Sequence, residues 1–160
     1  DLLPILSEIS VNTDTRFGRA SDLIGAVTEI TGNAPIITIT EAEPLGPSNP
    51  LDALIIAPCT GNTLAKLAHS IADTSVTMAT KSHLRNGRPV VIAVSTNDAL
   101  SGAAENIGHL MGRKHYYFVP FGQDDPKGKP TSMVADFGLL LPALEAALEG
   151  RQLQPVLISK

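Results

Sequence analysis

With one cysteine, Cys59, the chain cannot close an internal disulfide, which excludes the framework of a small secreted scaffold. Tryptophan is absent and aromatics make up only 4%, so the core has to come from Ala, Ile, Leu and Val, as in parallel α/β sheets with helices on both faces. No apolar run reaches membrane-spanning length, and the opening DLLPILS has neither the basic head nor the cleavage site of a secretory leader, so the cytoplasm is the expected compartment. Basic runs are missing too. The 12 Lys and Arg are dispersed against 16 Asp and Glu, for a net charge of -4, and neither nucleic acid nor a membrane is expected as a partner. His69, His83, His109 and His115 are scattered, without the close His or Cys pairs that a metal site requires. Finally, neither GxGxxG nor GxxxxGK[ST] occurs, so either the chain begins after the first strand and its phosphate loop, or it binds a nucleotide differently.

What is present alternates. Strands are expected at Leu2 to Leu6, Pro35 to Thr40, Leu54 to Ala57, Val90 to Val94 and Tyr116 to Val119. Between them lie helical patterns: one capped by Ser21 and Asp22 and ended by Gly32, one after Thr63 that Asp73 and Thr74 end and restart, one at Leu100 to Met111, and one at Leu139 to Leu148. Such alternation predicts one domain, residues 1–160, with a Rossmann- or flavodoxin-like three-layer open parallel sheet. Glu41 to Pro50 and the polar Gln123 to Pro130 read as loops.

The stretch DALIIAPCTGNTLAKLAHSIADTSVT, Asp52 to Thr77, carries the most information. An apolar run stops at Pro58, and Cys59, Thr60, Gly61, Asn62 and Thr63 open the next helix. Small residues admit a ligand to the backbone, and the free amides of a first helical turn favour phosphate. Plain helix capping explains the same residues equally well. Ser95, Thr96, Asn97 and Asp98 stand at the carboxyl end of another expected central strand, where open sheets bind ligands. There too, ligand contact and capping both remain open.

The run LIIAPCTGNTLAKLAHSIADTSVT resembles the segment APATANTIAKIANGIADNLLT of the homo-oligomeric flavin-containing cysteine decarboxylase superfamily. Together with AEPLGPSNPLDALIIAPCTGNTLAKLA, KSHLRNGRPVVIAVSTNDALS, YYFVPFGQDDPKGKP and QLQP, it is similar, across essentially all 160 residues, to the family of dipicolinate synthase B subunits. The resemblance implies a flavin, FMN, contacted by Pro58, Cys59, Thr60, Asn62 and Thr63, with Ser7 at the end of the strand facing them and Ser95 and Asn97 adjoining. It also implies a homo-oligomer that works with a separate NAD(P)-binding partner, the A subunit of dipicolinate synthase. That pair would oxidise a dihydrodipicolinate-type intermediate to dipicolinate in the mother cell of a sporulating bacterium. In the superfamily a first strand and a Gly- and Ser-containing turn precede what is the first expected strand here, so an N-terminal segment is expected to be missing. Where the decarboxylases carry PxMNxxM, Val94 to Leu100 retains only Asn97, which argues against decarboxylation. A flavin-dependent decarboxylase and a non-catalytic module that stabilises its partner remain the alternative functions.

No catalytic residue is identified. For Cys59 a buried apolar role is preferred over a reactive one, because no base stands at fixed spacing. A dicarboxylate substrate needs cationic donors, and four residues are candidates: His83 and Arg85 on one helix, Lys127 and Lys129 in the polar loop. A solvated helix face and an ordinary surface loop are the competing readings.

Overall fold

The computed structural model describes residues 1–15, 18–48 and 51–159. The first part of the chain forms four helices, α1 (Glu8–Asn12), α2 (Ala20–Thr31), α3 (Ile39–Ala42) and α4 (Leu45–Ser48). Next come β1 (Leu54–Cys59), α5 (Gly61–Ala68), α6 (Ser75–Leu84), β2 (Val90–Thr96), α7 (Ala104–Met111) and β3 (Tyr116–Phe118). Two short strands, β4 (Phe121–Gly122) and β5 (Met133–Ala135), precede a 3-10 turn (Phe137–Leu139) that runs into α8 (Leu140–Leu148).

The centre of the sheet is β2. Val90, Val91, Ile92, Ala93 and Val94 are all buried, and because neighbours along a strand face opposite sides, the sheet is covered on both faces here. On β2 lie β1, in parallel, with Leu54 opposite Val90, and β3, in parallel, with Tyr116 opposite Val90. The end of β2 turns to another partner: Ser95 and Thr96 pair antiparallel with Val134 and Met133 of β5, and β4 pairs antiparallel with β5. The sheet is therefore open and mixed, with the parallel part as expected and an antiparallel extension at its carboxyl edge. Helix α5 packs against α7, α6 against α3 and α4, and α8 against β2 and β3. Among the described residues no helix is long and apolar enough to cross a membrane.

Several element-level expectations need correction. The strands expected at Leu2 to Leu6 and Pro35 to Thr40 shrink to one parallel bridge, Ile5 with Ile36. The second is cut short because Thr38 and Glu41 form a reciprocal capping box that starts α3. The loop expected from Glu41 onward instead holds short helical turns as far as Ser48, while Asn49 and Pro50 fall outside the described residues. Pro58 does not stop its strand: β1 runs through a cis Ala57–Pro58 peptide to Cys59, with a shift of register between Ile56 and Cys59. Helix α2 begins at Ala20, whose N–H donates to Asp14 Oδ1 at 2.9 Å, so Ser21 and Asp22 are not its caps; Gly32 ends it at φ 69° as expected. Helix α7 begins only at Ala104, since residues 98–103 fold as turns in which Asp98 O accepts from the N–H groups of Ser101 and Ala103.

The Pro-containing tail has a defined task. Gln152 presents its amide to the edge of β3 as another strand would: Phe118 N–H donates to Oε1 and Nε2 donates to Phe118 O, both at 2.7 Å.

Candidate functional site

At the carboxyl end of β1 the covering of the sheet opens. Leu54, Ile56 and Cys59 are buried, whereas Ala57, Pro58 and Thr60 are exposed, so the strand delivers its last residues to a free surface. Helix α5 starts from this surface. Its N-cap Thr60 has extended backbone but makes no capping bond, and its hydroxyl lies 3.5 Å from that of Thr63. The first intrahelical bond runs from Leu64 N–H to Thr60 O at 2.9 Å. Among the described residues, no side chain accepts from the N–H of Gly61, Asn62 or Thr63. By contrast Ser7, Thr38 and Thr74 cap α1, α3 and α6 with their own side chains. The first turn of α5 is therefore an uncommitted donor set at the positive end of a helix dipole.

Across from it stands the end of β2. Thr96 Oγ1 donates to Asp98 Oδ1 at 2.5 Å, and a Cβ built on Gly61 would come within 2.8 Å of both atoms. Glycine at 61 is what lets α5 approach this pair. The carboxylate of Asp98 also alters the electrostatics expected from sequence. An anion already stands beside the start of α5, so the junction suits hydroxyl and N–H groups of a ligand near Asp98 and leaves its negative group to the donors farther along the turn. Asn97 is held from behind: its backbone carbonyl accepts from Thr131 Oγ1 at 2.6 Å, and its Oδ1 accepts from the hydroxyl of buried Ser132 at 3.4 Å. Ser132 also hydrogen-bonds Asp124, which together with Lys129 holds that carboxyl below the usual range. The polar loop between β4 and β5 is thereby fastened to the site.

The other candidates are dispersed over separate elements. Ser95 is half-buried within β2, and Ser7 caps α1, its hydroxyl 2.7 Å from that of Ser10. The residues beside Ser7 bind the start of α6: Leu6 O accepts from Ser75 Oγ and Glu8 Oε1 from Ser75 N–H. Cys59 is fully buried, opposite Val94, and burial pushes its thiol up to about 12, so its side chain serves packing while its backbone borders the junction. His83 is not on a solvated helix face. It is 1% exposed, and since a carbonyl only accepts, its Nε2 must donate to Pro89 O at 3.0 Å. Burial lowers its pKa, with Arg88 adding to the effect.

The four residues expected to meet one substrate are thus divided. Lys129, paired with Asp124 at 3.4 Å, and exposed Lys127 lie in the loop fastened to Asn97 at the carboxyl end of β2. His83 and Arg85 lie before its amino end, where Val90 N–H bonds His115 O at 2.8 Å. A strand of this length separates the two groups by about 20 Å. Sequence reasoning did not single out Thr131 and Ser132, which reach Asn97 across more than thirty positions of chain and lie in no motif.

Residues 18–121 match the Flavoprotein family. The chain is 46% identical over 158 residues to the B subunit of dipicolinate synthase from Bacillus subtilis (strain 168), covering 99% of this chain and 79% of that one. The crystal structure of the dipicolinate synthase B subunit from Bacillus halodurans superposes with a TM-score of 0.86 at 49% identity, over 93% of this chain and 76% of that one. The FMN-dependent cysteine decarboxylase SpaF is similar at a TM-score of 0.58 and 29% identity, over 82% of this chain and 74% of that one.

Proposed function

We propose, from the premise that this chain belongs to the Flavoprotein family and within it to the dipicolinate synthase B subunits, that it is the flavin-holding member of a two-subunit oxidoreductase. The reaction converts a dihydrodipicolinate-type ring to dipicolinate, which removes a hydride and a proton. The observation that carries this reading is the uncommitted first turn of α5, set beside exposed Pro58 and Thr60 at the open carboxyl edge of the sheet. Thr60, Asn62 and Thr63, with the backbone of Cys59 and Gly61, would hold FMN. Ser7, Ser95 and Asn97 complete the proposed set, and Asp98 adds an acceptor. Bound there, a flavin supplies two-electron redox chemistry that protein side chains lack.

The chain's own contribution is placement. Amide and hydroxyl donors orient the cofactor, Thr131 and Ser132 hold Asn97 in register with it, and Lys127 and Lys129 neutralise the substrate carboxylates from the adjoining loop. Neither the cavity of about 490 Å³ nor that of about 420 Å³ is lined by these residues, and Ala57, Pro58 and Thr60 of the junction are exposed. A homo-oligomer would provide the missing wall, and the NAD(P)-binding A subunit of the synthase would accept or relay the hydride. The setting would be the mother cell of a sporulating bacterium.

The test is the absorption spectrum of the complete protein purified with its NAD(P)-binding partner, followed by turnover of dihydrodipicolinate. A yellow complex that turns over supports the proposal. Turnover by a complex free of flavin would keep the pathway and remove the cofactor, and a flavin-loaded complex without turnover would remove the pathway.

A further inference from the structure

At the amino edge of the sheet, where α5 and α6 end and β3 begins, lies the cavity of about 490 Å³. Leu67, Ile71, Leu84 and Tyr116 give it apolar walls. Lys81, Arg85, Arg113 and Lys114 line it as well, and no Asp or Glu does, in a chain whose net charge is -4. One bland explanation is that these cations serve the negative ends of the two helices. Arg113 does so by direct bonds: its guanidinium donates to Ala68 O at 2.7 Å and Leu67 O at 3.2 Å, and lies 3.0 Å from His109 Nε2, whereas Lys81 in the last turn of α6 and Arg85 at its C-cap face that helix end through charge alone. Turn amides take further carbonyls, with Ile71 N–H on Lys66 O, Asn86 N–H on His83 O and Gly87 N–H on Leu84 O. Among the described residues, the side chains of Lys81, Arg85 and Lys114 make no ion pair or hydrogen bond. Lys81 and Arg85, one turn apart, share a face of α6, while Lys114 reaches the cavity from the turn between α7 and β3. Exposed, unpaired cations from two elements therefore border a half-open, largely apolar cavity large enough for a small ring compound.

We propose that this cavity is a second ligand site, which takes a small planar dicarboxylate with its ring against Leu67, Ile71, Leu84 and Tyr116. One carboxylate meets Lys81 and Arg85, and the other meets Lys114. The choice of a ring dicarboxylate rests on the function proposed above. The site is distinct from the flavin junction because none of Thr60, Asn62, Thr63, Asn97 and Asp98 lines it, although Leu67 stands one turn along α5 from Thr63. A ligand here acts on the protein without being its substrate in place.

The test is calorimetric titration of the full-length chain with pyridine-2,6-dicarboxylate, isophthalate, benzoate and inorganic phosphate, with amide chemical shifts mapping the site. Both dicarboxylates are expected to bind saturably and to move the signals of Leu67, His115 and Tyr116, with benzoate about tenfold weaker for want of its second ion pair. Lys81→Gln/Arg85→Gln and, separately, Lys114→Gln should each weaken binding about tenfold or more while leaving the melting temperature in place, since none of the three side chains holds a partner in the fold. Thr63→Val should leave the affinity unchanged. The proposal is overturned by absence of saturable binding, by full affinity in the Lys81→Gln/Arg85→Gln protein, by shifts confined to residues 60–63, or by phosphate reproducing the same shifts with equal affinity. Turnover by the two-subunit complex without this binding would sink the second site alone, whereas this binding in a flavin-loaded complex without turnover would sink the function alone.

Discussion

Cys59 carries the only thiol of the chain, and its position at the end of β1 decides what that thiol can do. A thiolate is the reactive form, and burial that lifts the pKa to about 12 leaves very little of it near neutrality. The native protein should therefore resist iodoacetamide at pH 8 and react fully once unfolded by denaturant; prompt native labelling would show the thiol to be accessible. His83 gives a second residue-scale prediction, in pH. Its folded pKa is lowered from 6.5 by burial, so an unfolded chain takes up the proton first as the medium is acidified. Stability is whole above pH 6.5 and is lost as pH falls from there through the depressed folded value. His83→Gln keeps an N–H donor for Pro89 O and removes the titration. Melting temperatures measured between pH 7.5 and 5 should fall less steeply in that variant than in the parent, and parallel curves would assign the acid sensitivity to other groups.

Elements show where sequence patterns carry and where they fail. β2 and α8 were legible because an unbroken apolar run and a helical repeat each span enough positions to outweigh chance. β4 and β5 have two and three residues, too short for any periodicity, and owe their pairing to the end of β2. The T-x-x-E signature that starts α3 is present in the sequence, but it lies within a run of β-branched residues, Ile36 to Thr40, whose propensity points to a strand. At the β1–α5 junction the residues were legible, while their opposite wall was not, because Asp98 and Gly61 meet only through the sheet. Gly61→Ala tests that contact. The new Cβ forces Thr96 and Asp98 apart, at a cost of about 1 kcal/mol for their hydrogen bond. The fold should persist, with FMN affinity reduced about tenfold in a fluorescence titration; unaltered affinity would place the cofactor elsewhere. The QLQP tail was legible only as resemblance. Gln152→Leu leaves the N–H and carbonyl of Phe118 without partners at a half-buried edge, and chemical denaturation should register a loss of about 2 kcal/mol. Gln152→Glu, which keeps an acceptor for the Phe118 N–H but no donor for its carbonyl, should fall between that variant and the parent.

At the scale of the whole molecule, the parallel register of β1, β2 and β3 sets two chemically different edges. The carboxyl edge gathers Thr60, Asn62, Thr63, Asn97 and Asp98 under the loop that carries Lys127 and Lys129. The amino edge gathers Lys81, Arg85 and Lys114. Cations that a linear reading grouped around one dicarboxylate therefore belong to separate places, and steady-state kinetics of the two-subunit complex can tell them apart. Lys127 is exposed, and the Lys129–Asp124 pair is a solvent-screened surface ion pair, so replacing both lysines should leave folding and FMN affinity intact. If the loop meets the substrate, Lys127→Gln/Lys129→Gln should raise KM about tenfold with little change in kcat, the mark of lost ground-state ion pairing. Arg85→Gln, at the other end of β2, should leave KM where it was. The reverse pattern, a high KM from Arg85→Gln and an ordinary one from the loop variant, would move the substrate to the amino edge and separate it from the flavin junction.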